Sequence, residues 1–318
     1  MFNRILLSGL AWLSLGTGAL RAETNDAYVQ EVEEWRASRL ARLTSTEGWL
    51  TLIGLHFLEP EESTVGRADD NKVKLAAGPD HLGTVTLEAN GRVKLQVNPG
   101  LGTMVDGREV LSAELAPDIS GKPTLVTCGT LSFYVIERGG KLALRVKDSA
   151  AERRTNFAGI DYYPIDPTWR IEARWETFDR PRRIKIANIL GQESDAMVLG
   201  KAVFERAGRT LALLPIQESL GEPLFFIIAD ETSGKETYGA ARFLYADPPA
   251  EGKVVLDFNK AVNPPCAFTP FATCPLPPAE NVMKIAVTAG EKDYHGEHGA
   301  TGVAESPRET PTPDHVSP

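Results

Sequence analysis

The 318-residue sequence predicts a mainly β protein, with a sandwich-like N-terminal half, a β-barrel or sandwich in the C-terminal half, and one N-terminal helix. Three observations carry this expectation. From Gly48 onward apolar residues recur at period two, the repeat of a strand with one buried face. Glycine-containing dipeptides, Asn90-Gly91, Asp106-Gly107 and Gly139-Gly140, punctuate those runs as hairpin turns do. Nowhere do strand-like and helical runs alternate, as a doubly wound α/β sheet requires.

Residues 1–22 read as a secretory signal peptide. Arg4 supplies a positive start, Ile5 to Ala19 is short and apolar, and Leu20-Arg21-Ala22 is a plausible cleavage site. The apolar run is short for a bilayer crossing. Residues 23–43 read as an amphipathic helix, with Asp26 as its cap and Val29, Val32, Leu40 and Leu43 on one stripe beside Trp35.

Residues 44–150 read as a β-rich, sandwich-like domain. Trp49 to Leu55 is an apolar segment. Val85, Leu87 and Ala89 alternate into Asn90-Gly91, expected to form a turn with two positive φ angles, and Val93, Leu95 and Val97 alternate out of it. Asp106-Gly107 and Gly139-Gly140 mark two more hairpins. Residues 151–295 form the second β-rich unit, which opens on a Pro- and Asp-rich junction running from Ala150 to Pro167. Its expected strands include Ile171 to Trp175, Ile184 to Ile186, a hairpin around Ala207-Gly208, Leu224 to Ala229 as a central strand buried on both faces, Phe243 to Tyr245, Val254 to Phe258, and Ile285 to Val287. Residues 296–318 are poor in bulky apolar side chains and are expected to be disordered.

The formal net charge is −9 and no Lys/Arg block occurs, which argues against a nucleic-acid partner. No later stretch has the length and apolarity of a membrane span, so the chain is not expected to be transmembrane once the leader is removed. The expected location is periplasmic or secreted. There a disulfide is possible, and Cys266 and Cys274, eight residues apart in a Pro-rich loop, are expected to form one. Cys128 sits in an alternating apolar run and is expected to stay free and buried.

The usual catalytic signatures are missing: no G-x-S-x-G elbow, no H-E-x-x-H helix, no G-x-G-x-x-G turn. The sequence identifies no catalytic residue and implies no cofactor. It assigns no metal site either, because His295 and His298 fall at the edge of the tail with no third ligand near them. Chemistry-bearing side chains gather between Asp230 and Glu291. The candidate ligand-binding residues are Asp230, Thr232, Tyr238, Arg242, Asp257, Asn259 and Glu291. Tyr238 and Arg242 would share one face of a strand, as would Asp257 and Asn259. An arginine beside carboxylates can receive an anionic ligand. It can equally form a structural ion pair that pins the loop from Asn263 to Pro278, whose Phe268 and Phe271 are fit to plug a barrel mouth.

Two resemblances follow from these segments. Glu34-Trp35-Arg36, Gly48 to Leu55 (GWLTLIGL), Tyr163 to Pro167 (YPIDP), Thr237-Tyr238-Gly239, Leu256 to Pro270 (LDFNKAVNPPCAFTP), Cys274 to Pro278 (CPLPP) and Ala289 to Lys292 (AGEK) resemble the bacterial family DUF1684 over about Glu33 to Tyr294. That family is defined by its unknown function, so the resemblance implies no activity. Val65-Gly66-Arg67, Asn71 to Leu75 and Gly102 to Gly107 are similar to the skeleton of a forkhead-associated domain, which implies a β-sandwich that binds phosphothreonine. The Ser and His of that family have no recognisable counterparts here. Three functional readings stay open: a ligand-binding or interaction module of the cell envelope, whose partner is an unknown small molecule or envelope component; a hydrolase using carboxylates such as Asp230, Asp257 and Glu291; and a structural envelope protein without a pocket.

Overall fold

The computed structural model of the protein describes residues 16–217 and 221–296. The expected leader lies outside the described residues as far as residue 15, and the expected tail lies outside them from residue 297. The fold is mainly β, with 42% strand against 15% helix.

Eleven strands build the N-terminal half: β1 (Leu52–Phe57), β2 (Glu62–Gly66), β3 (Val73–Lys74), β4 (Gly83–Leu87), β5 (Val93–Val97), β6 (Met104–Val105), β7 (Arg108–Glu109), β8 (Ser112–Leu115), β9 (Val126–Cys128), β10 (Leu131–Arg138) and β11 (Lys141–Asp148). They form a six-stranded sheet, β1-β11-β10-β9-β6-β7, and a five-stranded sheet, β3-β2-β4-β5-β8. Val65, Val85 and Leu95 of one sheet and Val126, Phe133 and Val146 of the other share a single core. Each such side chain contributes about 1.5–3 kcal/mol through burial. The alternation does the sorting: Val93, Leu95 and Val97 point inward while Lys94 and Gln96 meet solvent. Gly139 and Gly140 both take positive φ, as do Asp106 and Gly107. Asn90-Gly91 departs from expectation, because only Gly91 has a positive φ. The Asn90 side chain accepts a hydrogen bond from the Arg92 amide instead, a side-chain mimic of a backbone turn that widens the loop.

The C-terminal half is a half-barrel of curled sheet. Its strands are β12 (Arg170–Ala187), β13 (Glu193–Arg206), β14 (Arg209–Leu213), β15 (Leu224–Ile228), β16 (Arg242–Ala246) and β17 (Lys253–Asp257). Four of them pair in the order β14-β13-β12-β17, while β15 and β16 form a separate ribbon. Between Thr177 and Arg182 the register of β12 on β13 shifts, at the segment that holds Pro181, whose ring nitrogen cannot join a ladder. Two expectations need correction. The run from Leu224 is indeed buried on both faces, but among the described residues β15 has only β16 as a ladder partner, with a single bridge from Phe225 to Ile216 on its other edge. It is enclosed because the ribbon lies between two cores: Leu224, Phe226 and Ile228 enter one, Ile227 the other. The segment Ile285 to Val287 forms no strand, although Met283, Ile285, Val287 and Ala289 alternate inward as strand residues would.

One long helix, α1 (Gly16–Leu43), precedes the sandwich. It is already helical at Gly16, the first described residue, ahead of the expected residue 23. Its inward face also differs from the expected stripe: Val32 and Leu43 are buried, but Leu40 is 40% exposed. Tyr28, Val32, Trp35, Arg39 and Leu43, spaced by three or four residues, form the face that meets the body of the protein. Three of those five side chains carry a polar group. A single helical turn, α2 (Glu152–Thr155), follows β11.

Cys266 and Cys274 form a disulfide with a Cα separation of 6.1 Å, and Cys128 is free and buried. The loop they close touches both halves. Thr273 accepts a hydrogen bond from Arg145 of β11, and the Ile189 amide at the tip of the β12–β13 hairpin donates to the Cys274 carbonyl. Denatured protein alkylated without reductant should therefore carry one modified cysteine, Cys128. The double substitution Cys266→Ala and Cys274→Ala should lower unfolding free energy in urea by about 2–3 kcal/mol. Three modified thiols in unreduced protein would contradict the bridge.

Candidate functional site

The seven candidate residues do not form one site. Asp230, Thr232 and Arg242 make a buried knot. The Arg242 guanidinium donates to Asp230 Oδ2 at 2.8 Å and to the Val287 carbonyl at 3.0 Å, and it also reaches the Ala289 carbonyl. Asp230 Oδ1 accepts from the Thr232 amide at 2.9 Å, the Thr232 hydroxyl at 2.7 Å and the Val287 amide at 3.1 Å. Arg242 is 1% exposed, so the pair meets no solvent. These groups hold the extended residues 287–289, while Met283 and Ile285 before them bond through their backbone to Ala229 and Glu231.

Glu291 is the anchor of α1. Its Oε1 accepts from Arg39 Nε at 3.0 Å and its Oε2 from the Asn263 amide at 2.6 Å, while Arg39 also donates to the Asn263 carbonyl at 3.0 Å. Glu291 is fully buried. Burial pushes its carboxyl above the ordinary value, and Arg39 opposes that shift. One turn earlier, Arg36 donates to the Tyr163 carbonyl at 3.0 Å and lies 4.2 Å from the centre of the Tyr162 ring.

Tyr238 is not on a strand, because β16 begins at Arg242, so the shared face expected for Tyr238 and Arg242 does not exist. Tyr238 instead lines a separate cleft with Asp293 and His295. Asp257 ends β17 and Asn259 lies in the 3-10 turn Phe258–Lys260 that follows. They meet through that turn rather than by facing together: the Asn259 amide donates to Asp257 Oδ1 at 3.2 Å. Tyr28 of α1 completes the cluster. Its hydroxyl donates to Asp257 Oδ1 at 2.7 Å and accepts from Asn259 Nδ2 at 2.9 Å. Burial first, and Asp257 second, hold the Tyr28 phenol well above its ordinary pKa.

Of these clusters, only Asp257 borders the broad cleft that runs beside α1. The cleft, about 620 Å³, is lined by Glu31 and Trp35 of α1, Arg170 and Glu172 of β12, Tyr245 of β16, Asp247 and Glu251 of the β16–β17 loop, and Lys253, Asp257 and Lys260. That volume is of the size that holds small ligands. Asp257 Oδ2 is buried and accepts no hydrogen bond. Lys260 Nζ lies 3.5 Å from it and is itself paired with Glu31. Sequence reasoning missed most of this lining, Tyr245, Asp247 and Glu251 above all. Tyr28 and Arg39 did carry a signal, as polar residues on the helical stripe of Val32 and Leu43.

In the N-terminal sandwich, Arg67 is paired with Asp80 at 2.8 Å on the surface, so its charge is already met. Among the described residues no three His, Cys, Asp or Glu side chains are grouped to hold a metal ion. No helix among them is long and apolar enough to cross a membrane.

Comparison with known proteins adds the following. Residues 155–292 match the family described as Protein of unknown function (DUF1684). The match agrees with the resemblance read from the sequence and contains all seven candidate residues. It leaves outside it the motifs Glu34 to Arg36 and Gly48 to Leu55. No curated protein matches. Among solved structures, the solution NMR structure of an uncharacterized protein of Haloarcula marismortui is 28% identical, over 44% of this chain and 78% of that one, with a TM-score of 0.38.

The knot at Arg242 supplies a clean test of its structural role. Arg242→Met leaves Asp230 charged and buried without its partner, and should cost about 3–5 kcal/mol in urea denaturation. Tyr238→Phe should stay within about 0.5 kcal/mol. Near-equal effects of the two would show that Arg242 holds nothing in place.

Proposed function

We propose that this protein is an exported small-molecule-binding module of the cell envelope, and that its ligand sits in the cleft beside α1. The observation that carries the reading is the cleft of ligand size itself, walled by Trp35 and Tyr245 and bordered by Asp257, whose buried Oδ2 has no hydrogen bond and only the Lys260 ammonium, 3.5 Å away, as a partner. Buried polar atoms are rarely left so, and the exceptions call for a specific account. Trp35 and Tyr245 add aromatic walls, which give a ligand large contact area at low entropic cost. Export rests on the leader-like residues 1–22 and agrees with the disulfide.

Protein recovered from the periplasm should begin near Glu23; intact Met1 in cytosolic material would remove the export claim. In a thermal-shift screen of small polar metabolites, a ligand at a hundredfold excess over its Kd should stabilise the protein by about 2.7 kcal/mol. Tyr245→Ala, if it weakens binding about tenfold, should cut that stabilisation to about 1.4 kcal/mol, measured against the melting temperature of the unliganded variant, which the loss of the Tyr245 stack on Phe225 lowers slightly. Hits whose stabilisation is undiminished by Tyr245→Ala would place the site elsewhere.

A further inference from the structure

We propose that the cleft takes a ligand bearing an alkylammonium group. This rests on reading the cleft as a binding site, and it names the chemistry that the site would select.

The first ground is charge. Five carboxylates line the cleft against three cations. Two of the cations are committed: Lys253 to Glu172 at 2.6 Å, and Lys260 to Glu31 with Asp257 near it. The third, Arg170, has its guanidinium 5.9 Å from the centre of the Tyr28 ring. Asp247 and Glu251, on the loop that rims the cleft, take part in no ion pair among the described residues. Five carboxylates against three cations leave a surplus of two negative charges in the cleft as a whole, and the two carboxylates without an ion pair, Asp247 and Glu251, stand at its rim. A cation entering here gains attraction without displacing a resident one.

The second ground is the walls. Tyr245 stacks on Phe225, with ring centres 5.0 Å apart and planes at 15°, which fixes the phenol ring and leaves its other face uncovered by Phe225. Trp35 stands on α1 as another wall. Aromatic faces attract cations, and in water an alkylated ammonium is favoured because its weakly hydrated charge costs less to desolvate. The carboxylates also do not converge. Since no three His, Cys, Asp or Glu side chains among the described residues are grouped to hold a metal, an inorganic ion would lack its ring of oxygens. A diffuse organic cation needs no such ring. Charge surplus and aromatic walls together select it over both a metal ion and a neutral polar molecule.

The test uses a matched pair of probes on the full chain by isothermal titration: choline, and 3,3-dimethylbutan-1-ol, which has the same shape without the charge. Choline should bind at least tenfold tighter than the alcohol. The double variant Asp247→Asn and Glu251→Gln should lose most of that preference with an unchanged melting temperature, and Tyr245→Ala should weaken choline about tenfold, each with an unchanged circular dichroism spectrum. Equal binding of the two probes would overturn the cationic ligand class while leaving the binding-module reading intact. The same holds if choline fails to bind while a neutral metabolite gives a shift that depends on Tyr245. Choline binding unaffected by any of these variants would overturn the assignment of the cation to this cleft. Failure of choline and of every metabolite in the screen would overturn both readings.

Discussion

The C-terminal half depends on one buried charge pair. Arg242 and Asp230 together meet the backbone of residues 287–289 from both sides: the guanidinium caps carbonyls and the carboxylate takes an amide. A strand would have satisfied these groups with a ladder. Here two side chains do so, and the alternation of Met283, Ile285, Val287 and Ala289 survives without a sheet. Removing two charges from water is costly, and the attraction between them offsets that cost only when every remaining donor and acceptor is matched. Asp230 receives four hydrogen bonds on its two carboxylate oxygens, so the condition is met on the acid side.

Helix α1 is held by the same kind of chemistry. Apolar docking alone would rest on Val32, Leu43 and the half-buried Trp35, a thin stripe for a helix of this length. The helix adds Tyr28 on Asp257, Arg36 on the Tyr163 carbonyl and Arg39 on Glu291. These contacts are directional. They fix the rotation and height of the helix in a way that a greasy stripe does not, and so they set where Trp35 and Glu31 stand in the cleft wall. The position of the candidate site thus follows from hydrogen bonds made by its neighbours on the helix.

Much of the fold was legible in the sequence because period-two alternation and glycine turns act locally. The hairpins at Gly139-Gly140 and Asp106-Gly107 needed nothing else. The disulfide was legible for a similar reason, since a short Pro-rich loop brings its own ends together. Asn90-Gly91 was misread because a side-chain hydrogen bond competed with the backbone turn. The segment 285–287 was misread because alternation reports burial, and burial there comes with scattered backbone bonds to residues 229–231 and side-chain bonds from Arg242 and Asp230 rather than with a continuous ladder. The candidate residues were the right kind of residue in the wrong grouping. Ion-pair partners such as Arg39 and Glu291 are chosen by tertiary approach, and no local pattern announces it. Tyr238 was placed on a strand that starts four residues later.

The contact between Arg39 and Glu291 spans 252 residues of sequence, and that between Tyr28 and Asp257 spans 229. A growing chain presents the helix first and its docking partners last. The helix must therefore wait for nearly the whole polypeptide, its inward face open to water, while the sandwich of residues 52–148 can close from contacts within itself. Contacts of such separation form late, because a large loop must be closed before they contribute. The order of assembly is thereby set by geometry: the cleft, whose wall is the helix, is among the last features of the molecule to exist.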